Sequence, residues 1–272
     1  MSETTAAAAK KLNVIVFGET GTGKSAVINM VFDKIVVTSS SSVVGCTEST
    51  ISVERKVPGF PATELRMFDT AGLSESSEGK VTTGAAFIKL VKTLYEVQDG
   101  IHLLICVARK GRLSGQAFKS NYIVFVDKIC EHRVPCVLVI THCDEDDELD
   151  SFWTANKDMI SEKLKLKFED GVSVTTKKTG KNACLEDYQL SRKNLLNAIE
   201  QHALEKPWKM DSFQRTVVVF FKTVWNSIAE RVNFLTTVAV RDDLMKMFET
   251  LGSDRTTAIQ EANQLYEQLK AA

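Results

Sequence analysis

A glycine-rich stretch near the start of the chain has the residue types and spacing of a phosphate-binding loop. It reads G-E-T-G-T-G-K-S from Gly18 to Ser25, which fits the pattern G-x-x-x-x-G-K-[ST]. Glycines allow backbone N–H groups to curl around a triphosphate, and Lys24 is expected to hold the β and γ phosphates. The alternative is a purely structural glycine turn. The expected nucleotide contacts here are Gly18, Glu19, Thr20, Gly21, Thr22, Gly23, Lys24, Ser25 and Ala26.

Hydroxyl and carboxylate groups near this loop could serve a magnesium ion. Ser25 offers a hydroxyl, and Asp69 begins the sequence D-T-A-G after a third apolar run. An aspartate there can reach Mg²⁺ through water, while the N–H of Gly72 can meet a γ-phosphate. Thr47 is the favoured second hydroxyl on the metal. The loop also offers other hydroxyls as alternatives, namely Thr38, Ser39 to Ser42, and Thr50.

A second candidate site, Thr141-His142-Cys143-Asp144, follows the fifth apolar run, where G proteins carry their base-reading [NT]-K-x-D segment. The Asp144 carboxylate could accept hydrogen bonds from guanine N1–H and the 2-amino group, whereas adenine offers neither donor. His142 replaces the usual lysine and so removes a cation from over the purine. The alternative is that Asp144 only begins a solvated acidic insert.

Backbone N–H groups near Thr175 are a further expected contact. They belong to the segment from Ser173 to Thr176, which follows the sixth apolar run and could approach the purine oxygen.

The apolar runs alternate with helical patterns and predict a largely parallel sheet with helices on both faces. We expect strands at residues 12–17, 51–57, 63–68, 100–107, 134–140 and 171–175. Helices are expected at residues 25–32, 82–97, 151–166 and 190–204. Two further amphipathic helices are expected after Pro207, with apolar residues between Val217 and Leu235 and between Leu244 and Leu251.

Composition and charge limit the function classes. The chain has 272 residues, 44% of them hydrophobic, and a formal net charge of -1 without a long Lys/Arg block, which argues against an extended nucleic-acid surface. The six cysteines lack the paired spacing of zinc sites. No stretch has the ~20 uncharged apolar residues of a membrane span, and residues 1–10 read as a flexible tail rather than a signal peptide, so a cytoplasmic protein is expected.

Three stretches resemble the septin-related GTPases, especially the immunity-associated GIMAP-type proteins and the Toc chloroplast-import receptors. They are GETGTGKSAVIN, MFDTAGL and DGIHLLICVARKGRLSGQ, and the T-H-C-D segment is similar to that of the Toc receptors. The resemblance spans residues 12–204. It implies a Ras-like α/β P-loop NTPase domain at residues 11–205 that binds GTP, GDP and Mg²⁺. Residues 206–272 lie outside the resemblance, and their helical pattern predicts a C-terminal helical extension.

The resemblance also implies a homodimer across the nucleotide face. Leu73 stands where many self-sufficient GTPases have a water-orienting glutamine, which predicts slow intrinsic hydrolysis. Arg109 and Arg112 are candidate donors to the γ-phosphate of a second subunit, or they are ordinary exposed residues at the start of a helix. The leading expectation is a GTPase activated by dimerisation. The rivals are a GTP-binding switch with negligible turnover and, against the indication of Asp144, an ATPase.

The C-terminal helices leave three possibilities open. They could fold back on the G domain, pair with another protomer, or lie on a membrane surface. Folding back is favoured because their apolar faces are moderate and carry both charges.

Overall fold

A computed structural model gives the fold of the chain. It describes residues 10–37, 51–57, 60–70, 90, 93, 94, 96, 97, 99–144, 148–179, 183–210, 241, 242, 245, 249 and 254–270.

Six strands form one sheet, as the sequence predicts. They are β1 (Lys10–Gly18), β2 (Ile51–Val57), β3 (Phe60–Asp69), β4 (Leu103–Arg109), β5 (Cys136–Thr141) and β6 (Asp170–Ser173), in the spatial order β2-β3-β1-β4-β5-β6. β2 pairs antiparallel with β3 at the edge, and all the other pairs are parallel. The carboxyl ends of β1, β3, β4, β5 and β6 therefore meet at one edge of the sheet, where ligands bind in open α/β sheets.

Five helices are bounded within the described residues. They are α1 (Lys24–Phe32), α2 (Gln116–Tyr122), α3 (Ser151–Leu164), α4 (Leu185–His202) and α5 (Arg255–Lys270). A π-helical segment, Ile123–Ile129, continues α2 without a break. The sequence analysis gave no bounds for α2 and did not predict the π-helical segment or α5. Most of the helix expected at residues 82–97 lies outside the described residues, as does the whole apolar stretch from Val217 to Leu235. Of the stretch from Leu244 to Leu251, only residues 245 and 249 are described, and Met245 packs against the core on one face of the sheet.

Side chains alternate between two apolar clusters, one on each face of the sheet. On β1, Ile15 and Phe17 belong to the first cluster, while Val14 and Val16 belong to the second. This two-sided burial explains why the strands read as continuous apolar runs rather than as alternating ones. Helix α5 contributes Ala258 and Ala262, both fully buried, to the first cluster. That part of the C-terminal region therefore packs on the same core as the sheet.

β4 begins three residues later than the sequence predicted. Gly100 has φ +112°, a conformation that breaks the strand, and a Cβ at this position would lie 2.6 Å from Cβ of Pro207. Ile101 instead exchanges backbone hydrogen bonds of 2.8 and 2.9 Å with Trp208. The chain after α4 thus occupies the place beside Gly100. Within the described part of the chain, no helix is long and apolar enough to cross a membrane.

The close packing at Gly100 gives a stability prediction. Gly100→Ala combines a strained φ with an overlap against Pro207 and the Trp208 carbonyl, so it should lower the free energy of unfolding by about 2–4 kcal/mol. Gly111→Ala is the matched control, since it has φ +83° but no neighbouring atom within 4 Å. It should cost about 1 kcal/mol from backbone strain alone. Urea denaturation measures the free energy of unfolding of both variants. An equal loss of stability in the two variants would contradict this account of Gly100.

Candidate nucleotide site

The loop between β1 and α1 has a backbone that only glycine can adopt at its first position. Gly18 has φ +148°, and a Cβ there would lie 2.1 Å from the carbonyl oxygen of Val107 on β4. Gly21 and Gly23 have φ of +75° and +94°. α1 begins directly after Gly23, so its N-terminal N–H groups and positive dipole end face the loop. The two glycines that the pattern specifies, Gly18 and Gly23, and the additional Gly21 therefore each occupy a position that disfavours other residues.

Lys24 is buried and spans the loop. Its Nζ donates hydrogen bonds to the carbonyl oxygens of Gly18 and Glu19, at 3.1 and 2.9 Å. The hydroxyl of Thr22 donates to the same Glu19 carbonyl at 2.8 Å. The loop is thus held in a closed ring with a buried cation at its centre, an arrangement that suits a polyphosphate anion.

Ser25 and Asp69 lie together at the start of α1 and the end of β3. The Ser25 hydroxyl donates to Oδ2 of Asp69 at 2.7 Å. Burial raises the pKa of Asp69, while the bond from Ser25 and the charge of Lys24 lower it. A hydroxyl beside a carboxylate is the oxygen donor set that Mg²⁺ prefers. These two residues therefore fit the metal role expected from the sequence, whereas Thr47 and Gly72 lie outside the described residues.

Thr141 connects the base segment to the phosphate loop. It ends β5, and its hydroxyl donates to the carbonyl oxygen of Thr22 at 2.7 Å. A Cβ on Gly23 would lie 3.4 Å from the Thr141 methyl group. The two segments are 119 residues apart in sequence, and the fold brings them into direct contact.

Asp144 is nearly buried, with a side chain that is 9% exposed. Its Oδ1 accepts a hydrogen bond from the Thr175 hydroxyl, and Lys177 Nζ lies 2.9 Å from Oδ2. Burial alone would raise the pKa of Asp144, but the contacts with Thr175 and Lys177 outweigh it and lower the pKa. The carboxylate is therefore ionised at neutral pH. Its position is that of an inward-facing acceptor, unlike a carboxylate on a solvated acidic face.

His142 lies beside this carboxylate on an exposed, left-handed turn with φ +63°. Its Nδ1 is 3.0 Å from the Thr141 hydroxyl oxygen. Because that hydroxyl donates its proton to Thr22, we infer that Nδ1 carries the ring proton. Partial burial and the charge of Arg109 lower the pKa of His142, with smaller contributions from Lys177 and Arg112 in the same direction. The imidazole is neutral at pH 7.

Arg109 and Arg112 occupy the turn between β4 and α2, where the Arg112 N–H donates to the Arg109 carbonyl at 2.9 Å. Both lie close enough to His142 to influence its pKa. Glu19 of the phosphate loop borders the same turn, since a Cβ on Gly115 would lie 3.4 Å from its Oε1. The turn therefore lies at the opening of the site. Neither arginine belongs to α2, which begins at Gln116.

Lys177 is the neighbour of Asp144 that the sequence analysis missed. It directly follows the segment from Ser173 to Thr176, which was considered only for its backbone N–H groups. The lysine pair at positions 177 and 178 was the available signal. Nothing in the local sequence, however, indicated which of the two would turn toward Asp144.

The burial of Asp69 predicts opposite effects on stability and ligand binding. In the ligand-free protein the pKa of Asp69 is higher than in the unfolded chain. The free energy of unfolding therefore falls as the pH rises and Asp69 becomes ionised. Asp69→Asn keeps an acceptor for Ser25 without the charge. It should therefore raise the free energy of unfolding at pH 8 by about 1 kcal/mol, with the difference shrinking toward pH 4, and should weaken Mg²⁺-dependent nucleotide binding.

Chemical denaturation at several pH values measures this effect. Asp158→Asn, on the exposed surface of α3, is the matched control and should be neutral. A lower stability of Asp69→Asn at every pH would contradict the assignment of Asp69 as a destabilised, functional carboxylate.

Comparison with known proteins identifies related sequences and similar folds. The tRNA modification GTPase MnmE of Leptospira interrogans is 27% identical over 193 residues, which cover 66% of this chain and 38% of that protein. The chain thus spans well under half the length of this relative. Era, in complex with MgGDPNP and part of 16S ribosomal RNA, has a TM-score of 0.54 at 16% identity, covering 78% of this chain and 65% of that one.

Toc33 from Arabidopsis thaliana, in complex with GDP and Mg²⁺, is 21% identical with a TM-score of 0.46, over 71% of this chain and 86% of that one. The likeness to Era confirms the α/β P-loop GTPase fold. A model of the AIG1 family matches residues 12–223, which is most of the chain. The chain therefore belongs to the AIG1 family, with a P-loop GTPase domain.

Proposed function

We propose that this chain binds GTP and GDP with Mg²⁺ and hydrolyses GTP to GDP and phosphate, slowly as a monomer and faster as a homodimer. One observation carries the proposal. The phosphate loop, the Ser25–Asp69 pair and the base segment are joined at the same edge of the sheet, through the hydrogen bond from Thr141 to Thr22. One nucleotide could therefore contact all three.

Asp144 supports guanine as the base. Its ionised, nearly buried carboxylate can accept from the N1–H and the 2-amino group of guanine, whereas adenine would leave it without those donors. Thr175 is placed to orient the carboxylate through its hydroxyl. Asp144, Thr175, Thr141 and His142 therefore form the proposed base site, with His142 contributing a neutral ring rather than a cation.

Lys24, Ser25 and Asp69 support binding of the triphosphate and the metal. The ammonium group of Lys24 lies inside the loop, bonded to its carbonyl oxygens, where it could meet phosphate oxygens. Bound Mg²⁺ would neutralise charge that develops between the β and γ phosphates. Asp69 must be ionised for this role, and the hydrogen bond from Ser25 favours its ionised form. Thr47 and Gly72 complete the proposed site by sequence position.

Dimerisation is proposed because the described residues of the site include no obvious means of orienting water. Leu73 cannot do so, and Arg109 and Arg112 stand at the mouth of the site, where a second copy of the chain could approach. A net charge of -1 favours such a protein partner over a nucleic acid. The second candidate is a GTP-binding switch with negligible turnover, which the same lack of a water-orienting residue favours.

Phosphate release at several protein concentrations tests the proposal. With GTP and Mg²⁺, the rate per protein molecule should rise with concentration, and ATP should give little release. Tight GTP binding without release would favour the switch. Preference for ATP would overturn the assignment of Asp144 as the base acceptor.

The two arginines are expected to act in the dimer rather than in binding. Arg109→Ala or Arg112→Ala should reduce the concentration-dependent part of the rate by about tenfold or more, since a cation at the γ-phosphate stabilises the transition state. GDP affinity should change much less. Arg133→Ala is the matched control, because this exposed residue precedes β5 and lies toward the opposite edge of the sheet. Wild-type rates in both site variants would remove the arginines from the mechanism.

A further inference from the structure

The base segment lacks a cation at the position where G proteins carry a lysine. His142 stands there, and its lowered pKa keeps the imidazole neutral at pH 7. A shortened, uncharged side chain cannot balance the Asp144 carboxylate. Because Asp144 is only 9% exposed, its charge must be balanced by some other group.

Lys177 brings a cation to this carboxylate from a different loop. Its Nζ lies 2.9 Å from Oδ2 of Asp144, and 49% of the lysine side chain is exposed. The ammonium group therefore meets a nearly buried carboxylate, although half of the lysine side chain is exposed to solvent. An opposite charge at this distance favours the ionised form of the carboxylate.

The contacts around Asp144 leave room for a base. Each carboxylate oxygen has two acceptor positions. Thr175 uses one on Oδ1 and Lys177 uses one on Oδ2. With respect to the described residues, one position remains on each oxygen, which matches the two parallel donors of guanine. Lys177 and Thr175 thus occupy only part of the acceptor capacity of the carboxylate.

We propose that Lys177 is a positioning residue of the base site, which supplies the cation that His142 lacks and holds Asp144 in the orientation that accepts both guanine donors. This inference rests on the proposed binding of guanine nucleotides. It adds the Lys177 side chain to the base site, beyond the T-H-C-D segment and Thr175.

The adjacent Lys178 has a different partner and provides a matched control. Its Nζ lies 2.5 Å from Oδ1 of Asp33, in the turn after α1, and 4.8 Å from the centre of the Tyr188 ring. The two lysines have the same charge and similar exposure, at 49% and 44%. Only Lys177 contacts the proposed base acceptor, so a general loss of positive charge can be separated from the loss of this one contact.

The test is the dissociation constant of a fluorescent GDP analogue for the wild type, Lys177→Gln, Lys177→Arg and Lys178→Gln. We expect Lys177→Gln to raise the Kd about three- to tenfold, a moderate effect because solvent screens a half-exposed cation. Lys177→Arg should restore most of the affinity, and Lys178→Gln should stay within about twofold of the wild type. The difference in Kd between Lys177→Gln and the wild type should decrease at higher salt concentration, because salt screens the attraction between Lys177 and Asp144.

An equal or lower Kd for Lys177→Gln would overturn the inference, because it would mean that the lysine competes with guanine for Asp144. Equal losses of affinity in Lys177→Gln and Lys178→Gln would overturn it as well, since the removal of positive charge alone would then explain the weaker binding. Melting temperatures confirm that each variant is folded. A wild-type protein that fails to bind any guanine nucleotide would instead refute the proposed function, which the same titration reveals before any variant is compared.

Discussion

The hydrogen bond from the Thr141 hydroxyl to the Thr22 carbonyl is the contact on which the geometry of the site depends. It joins the end of β5 to the loop that follows β1, and the ends of these two strands are separated in the sheet by β4 alone. Two strand spacings place these ends about 10 Å apart in the sheet direction, and the bond fixes how the loops beyond them approach each other. The net stabilisation from such a bond is only about 1 kcal/mol. Its importance lies in orientation, because the phosphate and base contacts must be in register for one nucleotide.

The electrostatics of the site follow from the same convergence. A chain with a net charge of -1 nevertheless brings Lys24, Arg109, Arg112 and Lys177 to one edge of its sheet. Such a local concentration of cations attracts an anionic ligand regardless of the overall charge. It also explains why His142 is neutral, since burial and the neighbouring cations both oppose its protonation. A histidine in this setting cannot replace the charge of a lysine.

The parts of the fold that the sequence predicted are those encoded locally. The glycines at positions 18, 21 and 23 adopt conformations that their spacing already indicated, and the buried strands appear as apolar runs. The π-helical segment Ile123–Ile129 was missed because a short apolar run does not distinguish a strand from a buried helix. The late start of β4 depends on Gly100 and Pro207, which are far apart in sequence. Lys177 was missed for the same reason, because its partner Asp144 becomes a neighbour only when β5 and β6 pair.

The central claim is that a guanine base binds against Asp144 while its phosphates occupy the loop held by Thr141. Calorimetric titration with GDP, IDP and ADP tests it most directly, because the three bases offer two, one and no suitable donors to one carboxylate. The account predicts that GDP binds most tightly, IDP more weakly, and ADP weakest by at least about a hundredfold relative to GDP. Equal affinity for ADP and GDP would contradict it.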